Sequence, residues 1–419
     1  MRILIQNVHS AQNLGDHGIM LGTLTGLRKI YPQAKITVAA NDPDSWHFFS
    51  EISIVATLCS WVADCKLGRW QGSLVRTPYY LLVLSLSALG YRFFGIKWLP
   101  TNHSKRCLLQ AYYEADLVLS SGGGNFYAER SISPSFFWNL VSLAFPLALG
   151  KKIIMLPQSV GPVQGPILIW LSRFILRRVT FVVVRESVSL AFIREKIGRQ
   201  HQIKLLPDLA FSMPSHHSKT LNLPEITDNS QTVRIGVTLI DRGAQLKEFS
   251  GQSLYEDAVV QAFSKLCELF KVTFYIFVQS YGPAASQNDT DVSSRVYNRL
   301  QGLVPQVYLI DNLTDSLSAK ELYSRMDGMV ATRMHTSIFA LTNNVPAISI
   351  GYQPKSKGMV DFFGMEHYFC DIRNITSASL FTLLCELIEN KEALVKHLEE
   401  RNNLIRPSIS EWTQLILNS

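Results

Sequence analysis

Cysteine is scarce in this 419-residue sequence and forms no pattern. The six residues Cys59, Cys65, Cys107, Cys267, Cys370 and Cys385 include no Cys-x-x-Cys pair, and no Cys/His set has zinc-ligand spacing. That excludes a disulfide-stapled scaffold and a structural zinc site, and reads as reduced thiols in a cytoplasmic protein. No carboxylate cluster demands a metal ion, so none is expected. No uncharged apolar run reaches the roughly 20 residues of a comfortable membrane span. The N-terminus enters a strand at once, Met1-Arg-Ile-Leu-Ile-Gln-Asn-Val8, without the basic and long apolar regions of a secretory signal. Solenoid repeats, low-complexity tracts and nucleic-acid-binding motifs are also missing. Charged residues make up only 17%, and the net charge of +7 is spread out, with small clusters such as Arg173, Arg177 and Arg178. Nucleic acid is therefore not an expected partner; acidic small substrates or an anionic membrane surface suit the excess better.

What is present is a globular composition, 47% hydrophobic, in a chain too long for one ordinary core. Short β-rich runs (Ile3–Val8, Lys35–Ala39, Leu117–Ser120, Lys152–Leu156, Phe181–Val184) alternate with helical patterns such as Gly18–Ile30 and Leu168–Arg178. That alternation predicts a doubly wound parallel sheet, whose ligands bind beyond the carboxyl ends of the strands. The polar stretch 213–232 reads as a linker. A second series follows: strands at Arg234–Leu239, Val272–Val278, Val307–Ile310, Gly328–Ala331 and Ala347–Ile350, with a helix through Tyr255–Leu269. The expected organisation is an α/β protein with Rossmann-like domains at 1–212 and 233–380 and a helical segment at 381–419.

Two apolar stretches need an explanation. Phe136–Leu149 leads into a strand and reads as a buried crossover helix. Tyr79–Tyr91 (YYLLVLSLSALGY) is apolar all round and supports two readings: a buried helix, or a peripheral contact with a membrane surface.

The motifs sit at strand ends. Asn13-Leu-Gly-Asp16 follows the first strand and suits a helix cap or an anion-binding turn; it is not the dinucleotide fingerprint GxGxxG. Gly122-Gly123-Gly124-Asn125 reads as a ligand-facing loop, because a plain turn does not need three glycines. Gln158-Ser-Val-Gly-Pro162 and Arg185-Glu-Ser-Val-Ser189 follow the next two strands. An arginine there can hold a phosphate or carboxylate, or form a salt bridge with Glu186 or another nearby acid. Arg333-Met334-His335 lies between a strand and a helix, with Arg333 and His335 on one face if the stretch is extended; a histidine beside a cation can hold or pass a proton near pH 7. Gly351-Tyr-Gln-Pro-Lys355-Ser-Lys357-Gly358 reads as a cationic loop after the following strand.

Taken in order, Gly122-Gly-Gly, Arg185-Glu-Ser-Val-Ser, Val278-Gln-Ser-Tyr-Gly-Pro283, Asn288-Asp-Thr-Asp291, Arg333-Met-His335 and Gly351-Tyr-Gln-Pro-Lys355 resemble the polysaccharide pyruvyl transferases, above all those that decorate exopolysaccharides such as colanic acid. The resemblance runs from Asn13 to about Gly358. It implies a GT-B-like fold with the active site in the interdomain cleft, phosphoenolpyruvate as co-substrate, and no cofactor or metal. It also implies His335 as the catalytic residue and donor binding by Arg185 and Lys355; Arg333, Met334 and Lys357, from the same two motifs as His335 and Lys355, are expected as further donor contacts. Glu186 stands where the family pattern has aspartate, and Ser189 is in place.

Phosphoenolpyruvate carries a carboxylate and a phosphate, which several cations from separate loops would hold. Asn13, Asp16, Gly122, Gly123, Gly124, Asn125 and Gln158 are expected on the N-terminal side as contacts to a sugar acceptor, lipid-linked or otherwise. A cytoplasmic enzyme, peripheral at the inner face of the membrane and able to self-associate, fits this picture. The competing expectations are a GT-B glycosyltransferase using a nucleotide sugar and a carbohydrate-binding scaffold without catalysis.

Overall fold

The computed structural model describes residues 1–47, 49–63, 69–128, 130–214, 232–246, 249–352 and 354–418. Most of the expected linker, 215–231, lies outside them. The chain divides into two compact units: Met1–Ala11, Thr23–Leu209 and Ser410–Ser419 form the first, Gln12–Gly22 and Ala210–Ile409 the second.

This division departs from the expected one at both ends of the chain. The short segment Gln12–Gly22 belongs to the second unit although it precedes most of the first. The C-terminal helices are not a unit of their own: Ser377–Glu389 and Lys391–Ile409 belong to the second, Glu411–Leu417 to the first.

In the first unit the strands are β1 (Arg2–Val8), β2 (Lys35–Ala40), β3 (Ser53–Ala56), β4 (Leu117–Ser120), β5 (Gly123–Ala128), β6 (Ile153–Val163), β7 (Phe181–Val184) and β8 (Ile203–Leu205). They form a parallel sheet in the order β3-β2-β1-β4-β6-β7-β8, with β5 paired to β6. Both faces of this sheet are covered, so the inner strands are apolar runs without alternation, as Ile3-Leu4-Ile5 and Val182-Val183-Val184 are, all buried. The helices that matter below are α1 (Leu14–Ile30), α2 (Arg69–Phe94), α3 (Pro134–Ala148) and α4 (Pro166–Leu176). As expected, α3 is core: Phe136, Trp138, Leu140, Leu143 and Phe145 are all buried. Trp412, from the last helix, is buried in the same unit, with its ring against the Gly26 backbone of α1.

Two expectations fail here for related reasons. The glycine run does not form a loop: Gly123 opens β5, with φ of +120°, a conformation a side chain disfavours. Gln158-Ser-Val-Gly-Pro162 does not follow its strand but lies inside it, because β6 continues to Val163 to pair with β5.

The second unit is a six-stranded parallel sheet in the order β11-β10-β9-β12-β13-β14. Its strands are β9 (Val233–Thr238), β10 (Val272–Phe277), β11 (Gln306–Ile310), β12 (Gly328–Ala331), β13 (Ala347–Gly351) and β14 (Phe369–Asp371). The chain winds from β9 outward to β11, then returns to β12 on the other side, so the order reverses between β9 and β12. That reversal is where a doubly wound sheet opens a crevice at its carboxyl edge. Helices α5 (Ser316–Tyr323), α6 (Met334–Leu341) and α7 (Pro354–Phe363) pack around this edge. Asp315 caps α5 by accepting from Ser318 N at 2.8 Å.

Lys320, on α5, is buried, and among the described residues its ammonium reaches only the Met213 carbonyl, at 3.5 Å. Burial pushes that ammonium down from 10.5 to about 8. Between those values the unfolded chain keeps a proton that the folded chain has released, so stability rises with pH across that window and carries the full penalty below it. Lys320→Met is expected to stabilise the protein at pH 7 by on the order of 3 kcal/mol. Urea unfolding from pH 7 to above 10 checks this: the gain should shrink to nothing as the wild type loses its proton.

Candidate active site

The side chains at the reversal between β9 and β12 form one connected group. Thr238, the last residue of β9, donates to Thr336 at 3.0 Å, and Thr336 donates on to Gln279, just past β10. Tyr323 also donates to Gln279, at 3.1 Å. Tyr255 and Thr332 share a hydrogen bond of 2.8 Å. This buried lattice holds the turn from β12 into α6 and so positions Arg333 and His335.

Arg333 is the N-cap residue of α6, and His335 lies in its first turn. The expected extended stretch is thus replaced by a helix start, and the two side chains diverge by helical rather than strand geometry. Arg333 donates from Nε to Asp289 Oδ2 at 3.0 Å and from Nη2 to Asp289 Oδ1 at 2.5 Å and the Gln287 carbonyl at 3.1 Å. Among the described residues its Nη1 makes no hydrogen bond. Asp289 is held in turn by its own N–H, which donates to the Ser280 carbonyl at 2.8 Å. Burial opposes the Arg333 charge, but Asp289, Tyr352 and Asp16 outweigh it and hold the guanidinium protonated beyond its usual range. Burial pushes the Asp289 carboxyl up, against the pull of Arg333.

The segment Gln12–Gly22 completes the group. Asn13 bridges to Ser280 in antiparallel fashion, Leu14 N donates to the Gln279 carbonyl at 3.2 Å, and Tyr281 N donates to the Gln12 carbonyl at 2.9 Å. The Asn13 side chain accepts from Gly15 N at 3.0 Å and starts α1. The His335 ring lies directly on that first turn: a Cβ on Gly15 would stand 2.1 Å from His335 Nδ1. Glycine is required here for close approach. Asn13 and Asp16 were expected on the N-terminal side of the molecule. The structure instead places them beside His335 and Arg333 in the second unit, because the backbone of residues 12–14 is stitched to the end of β10.

Arg242, just past β9, is a cation the sequence reading missed. It is buried, and its guanidinium lies 5.0 Å from the centre of the Tyr352 ring, the same tyrosine that acts on Arg333. The signal was available: a cation immediately beyond the carboxyl end of an apolar strand, the pattern that drew attention to Arg185.

The other expected donor groups are placed differently. Met334 is buried. Lys355 and Lys357 belong to α7, not to a loop; Lys357 is exposed, and the Lys355 side chain lies outside the described residues. Arg185 belongs to the first unit, where it is buried in an ion pair with Asp208. Its Nε donates to Ser159 at 2.9 Å and lies 3.7 Å from Glu186. Ser189 donates to Glu186 and accepts from Val160 N at 2.7 Å. The Arg-Glu-x-x-Ser pattern is thus a buried brace between β6 and β7, the salt-bridge alternative for this arginine. Gly122, Gly123, Gly124, Asn125 and Gln158 are also in the first unit. Asn125 donates to the Asn7 carbonyl at 2.7 Å and accepts from Asn139 at 2.8 Å. The Gln158 amide is fully buried in β6, without a hydrogen-bond partner for either atom among the described residues. No group of three or more His, Cys, Asp or Glu residues that could hold a metal ion occurs among the described residues.

A model of the polysaccharide pyruvyl transferase family matches residues 13–354. The chain belongs to that family. The match begins at Asn13, the residue that starts α1 at the His335 group, and ends within the first turn of α7. Among curated proteins, the amylovoran biosynthesis protein AmsJ of Erwinia amylovora is 22% identical over 408 residues, covering 94% of each chain. Solved structures share the fold at low identity. MnaA of S. aureus, solved with UDP, has a TM-score of 0.60 at 11% identity, over 98% of this chain and 94% of that one. A glycosyltransferase of Rickettsia africae ESF-5 has 0.57 at 13%, over 100% and 96%. MurG of Acinetobacter baumannii has 0.53 at 12%, over 100% of both. The chain is therefore built as two parallel-sheet α/β units of the GT-B kind, and its family membership supports pyruvyl transfer in polysaccharide biosynthesis.

Proposed function

We propose that the chain transfers a pyruvyl group from phosphoenolpyruvate to a pair of hydroxyls on a sugar of a surface polysaccharide or its precursor. The observation that carries this is the meeting of both groups on the start of α1 at the strand-order reversal: the His335 ring lies on Gly15, the neighbouring Asp16 acts on Arg333, and Arg242 is joined to the group through Tyr352. A histidine that can move a proton, in one group of side chains with two guanidinium groups, suits a small, highly charged enol phosphate. Arg333 and Arg242 serve as anion-binding cations, and Lys355 and Lys357 on α7 are further candidates.

Ketal formation begins with a proton delivered to the enol methylene, which leaves C2 as an oxygen-stabilised cation. One sugar hydroxyl adds to C2 and loses its proton. The C2–O bond to phosphate breaks, phosphate departs, and the neighbouring hydroxyl closes the ring with loss of the second proton. His335 supplies the first proton or removes one from a hydroxyl. Asn13 and Asp16, in the same group, serve in this reading as contacts to either substrate.

The test is release of inorganic phosphate from phosphoenolpyruvate on addition of galactosides, glucosides and mannosides. Release that depends on an acceptor supports the proposal. If none of these acceptors gives release, and if only nucleotide sugars raise the melting temperature, the chain would instead be a nucleotide-sugar glycosyltransferase. Arg242→Met is expected to raise the phosphoenolpyruvate KM about tenfold or more with a smaller change in kcat, as loss of an anion contact made in both ground and transition states would.

A further inference from the structure

The first unit carries a stripe of apolar side chains that none of the described residues covers. On α2, Tyr79, Leu82, Leu86, Leu89 and Phe93 are each more than half exposed. Their spacing of three and four residues places them on one helix face. The opposite face, with Leu84, Ser87 and Ala88, is buried. The buried-helix reading of Tyr79–Tyr91 therefore holds for only one side of α2. The helix ends in Phe93 and Phe94, exposed at 72% and 77%, and the turn beyond it exposes Ile96 and Trp98. A second stripe lies on α4, where Ile167, Trp170 and Phe174 are at least half exposed and again three and four residues apart. Both helices pack against α3.

The surrounding charge has one sign. From Cys65 to Tyr113 the sequence has no aspartate or glutamate but has Lys66, Arg69, Arg76, Arg92, Lys97, Lys105 and Arg106. From Arg130 to Arg185 acids are again absent. Arg92, Lys97 and Arg106 are exposed around α2, and Arg173, Arg177 and Arg178 around α4. The Arg178 guanidinium lies 3.8 Å from the centre of the Phe174 ring. The turn that packs on α4 brings one acid, Glu195, between Arg194 and Lys196.

We propose that the exposed faces of α2 and α4 dock on an anionic lipid bilayer. Apolar and aromatic side chains flanked by cations in clear excess over acids match the acyl and headgroup layers of such a surface together. A second copy of the chain matches less well, because a two-fold interface would set these cations against each other. Among the described residues no helix is long and apolar enough to cross a membrane, so the contact is peripheral. This inference stands independently of the transfer reaction.

Cosedimentation of the full chain with vesicles tests it. Vesicles of phosphatidylcholine with about one-third phosphatidylglycerol are expected to bind at least about tenfold more tightly than phosphatidylcholine alone, and the binding should weaken as salt rises. Leu82→Ser/Leu86→Ser/Phe93→Ser and, separately, Lys97→Glu/Arg106→Glu should each lose about tenfold in binding while keeping the wild-type melting temperature. Failure of the wild type to bind anionic vesicles would overturn the proposal. So would a dimer, seen by light scattering, that the triple variant converts to monomer, since the face would then be an interface between copies.

Discussion

Replacing His335 with alanine is expected to lower acceptor-dependent phosphate release by about 10²–10⁴-fold, the usual contribution of one positioned acid–base group. The fold should survive, because His335 is only partly buried and is not one of the apolar core side chains. A stronger test leaves the histidine in place. Gly15→Ala puts a methyl carbon where only 2.1 Å separates it from His335 Nδ1, so ring or helix must move. An ångström of misplacement at a reacting group costs up to about 10²-fold, and the loss is expected in kcat. Steady-state kinetics of both variants, with melting curves alongside, check this. A Gly15→Ala protein with wild-type kcat would separate His335 from the reaction. A His335→Ala protein at full rate would remove the mechanism.

The second large effect is on stability. Arg185→Met leaves Asp208 and Glu186 buried without their cation and is expected to destabilise the fold by about 3–5 kcal/mol. Adding Asp208→Leu should recover part of that loss, because the buried charge goes with its partner. Urea unfolding of the two single variants and the double variant measures the coupling. At a temperature where Arg185→Met is still folded, its phosphoenolpyruvate KM should stay within about threefold of wild type. A large rise in KM without loss of stability would return Arg185 to the donor site.

These two cases show where the sequence was legible. The strands were readable because buried parallel strands are unbroken apolar runs, and the motifs stood out because sites on doubly wound sheets gather at strand ends. Arg333 and His335 drew attention this way. Arg185 has the same local signature, and its ion pair with Asp208, 23 residues away, is announced by no local pattern. The place of Asn13 and Asp16 was hidden for a similar reason: it rests on backbone bonds to Gln279, Ser280 and Tyr281, more than 260 positions along the chain. On α2, the apolar residues surround the helix, so the sequence could not tell the face that packs from the face left open.

The interleaving of the two units has a consequence for synthesis. Gln12–Gly22 is made hundreds of residues before its partners at the end of β10. The first unit, in turn, lacks Ser410–Ser419, and with it Trp412, until the bulk of the second unit has been made. The first sheet cannot reach its final packing before then. A fragment that stops at Leu209 would carry an orphaned site segment and a gap beside Gly26, so the two halves should be recovered poorly when expressed apart and better when expressed together.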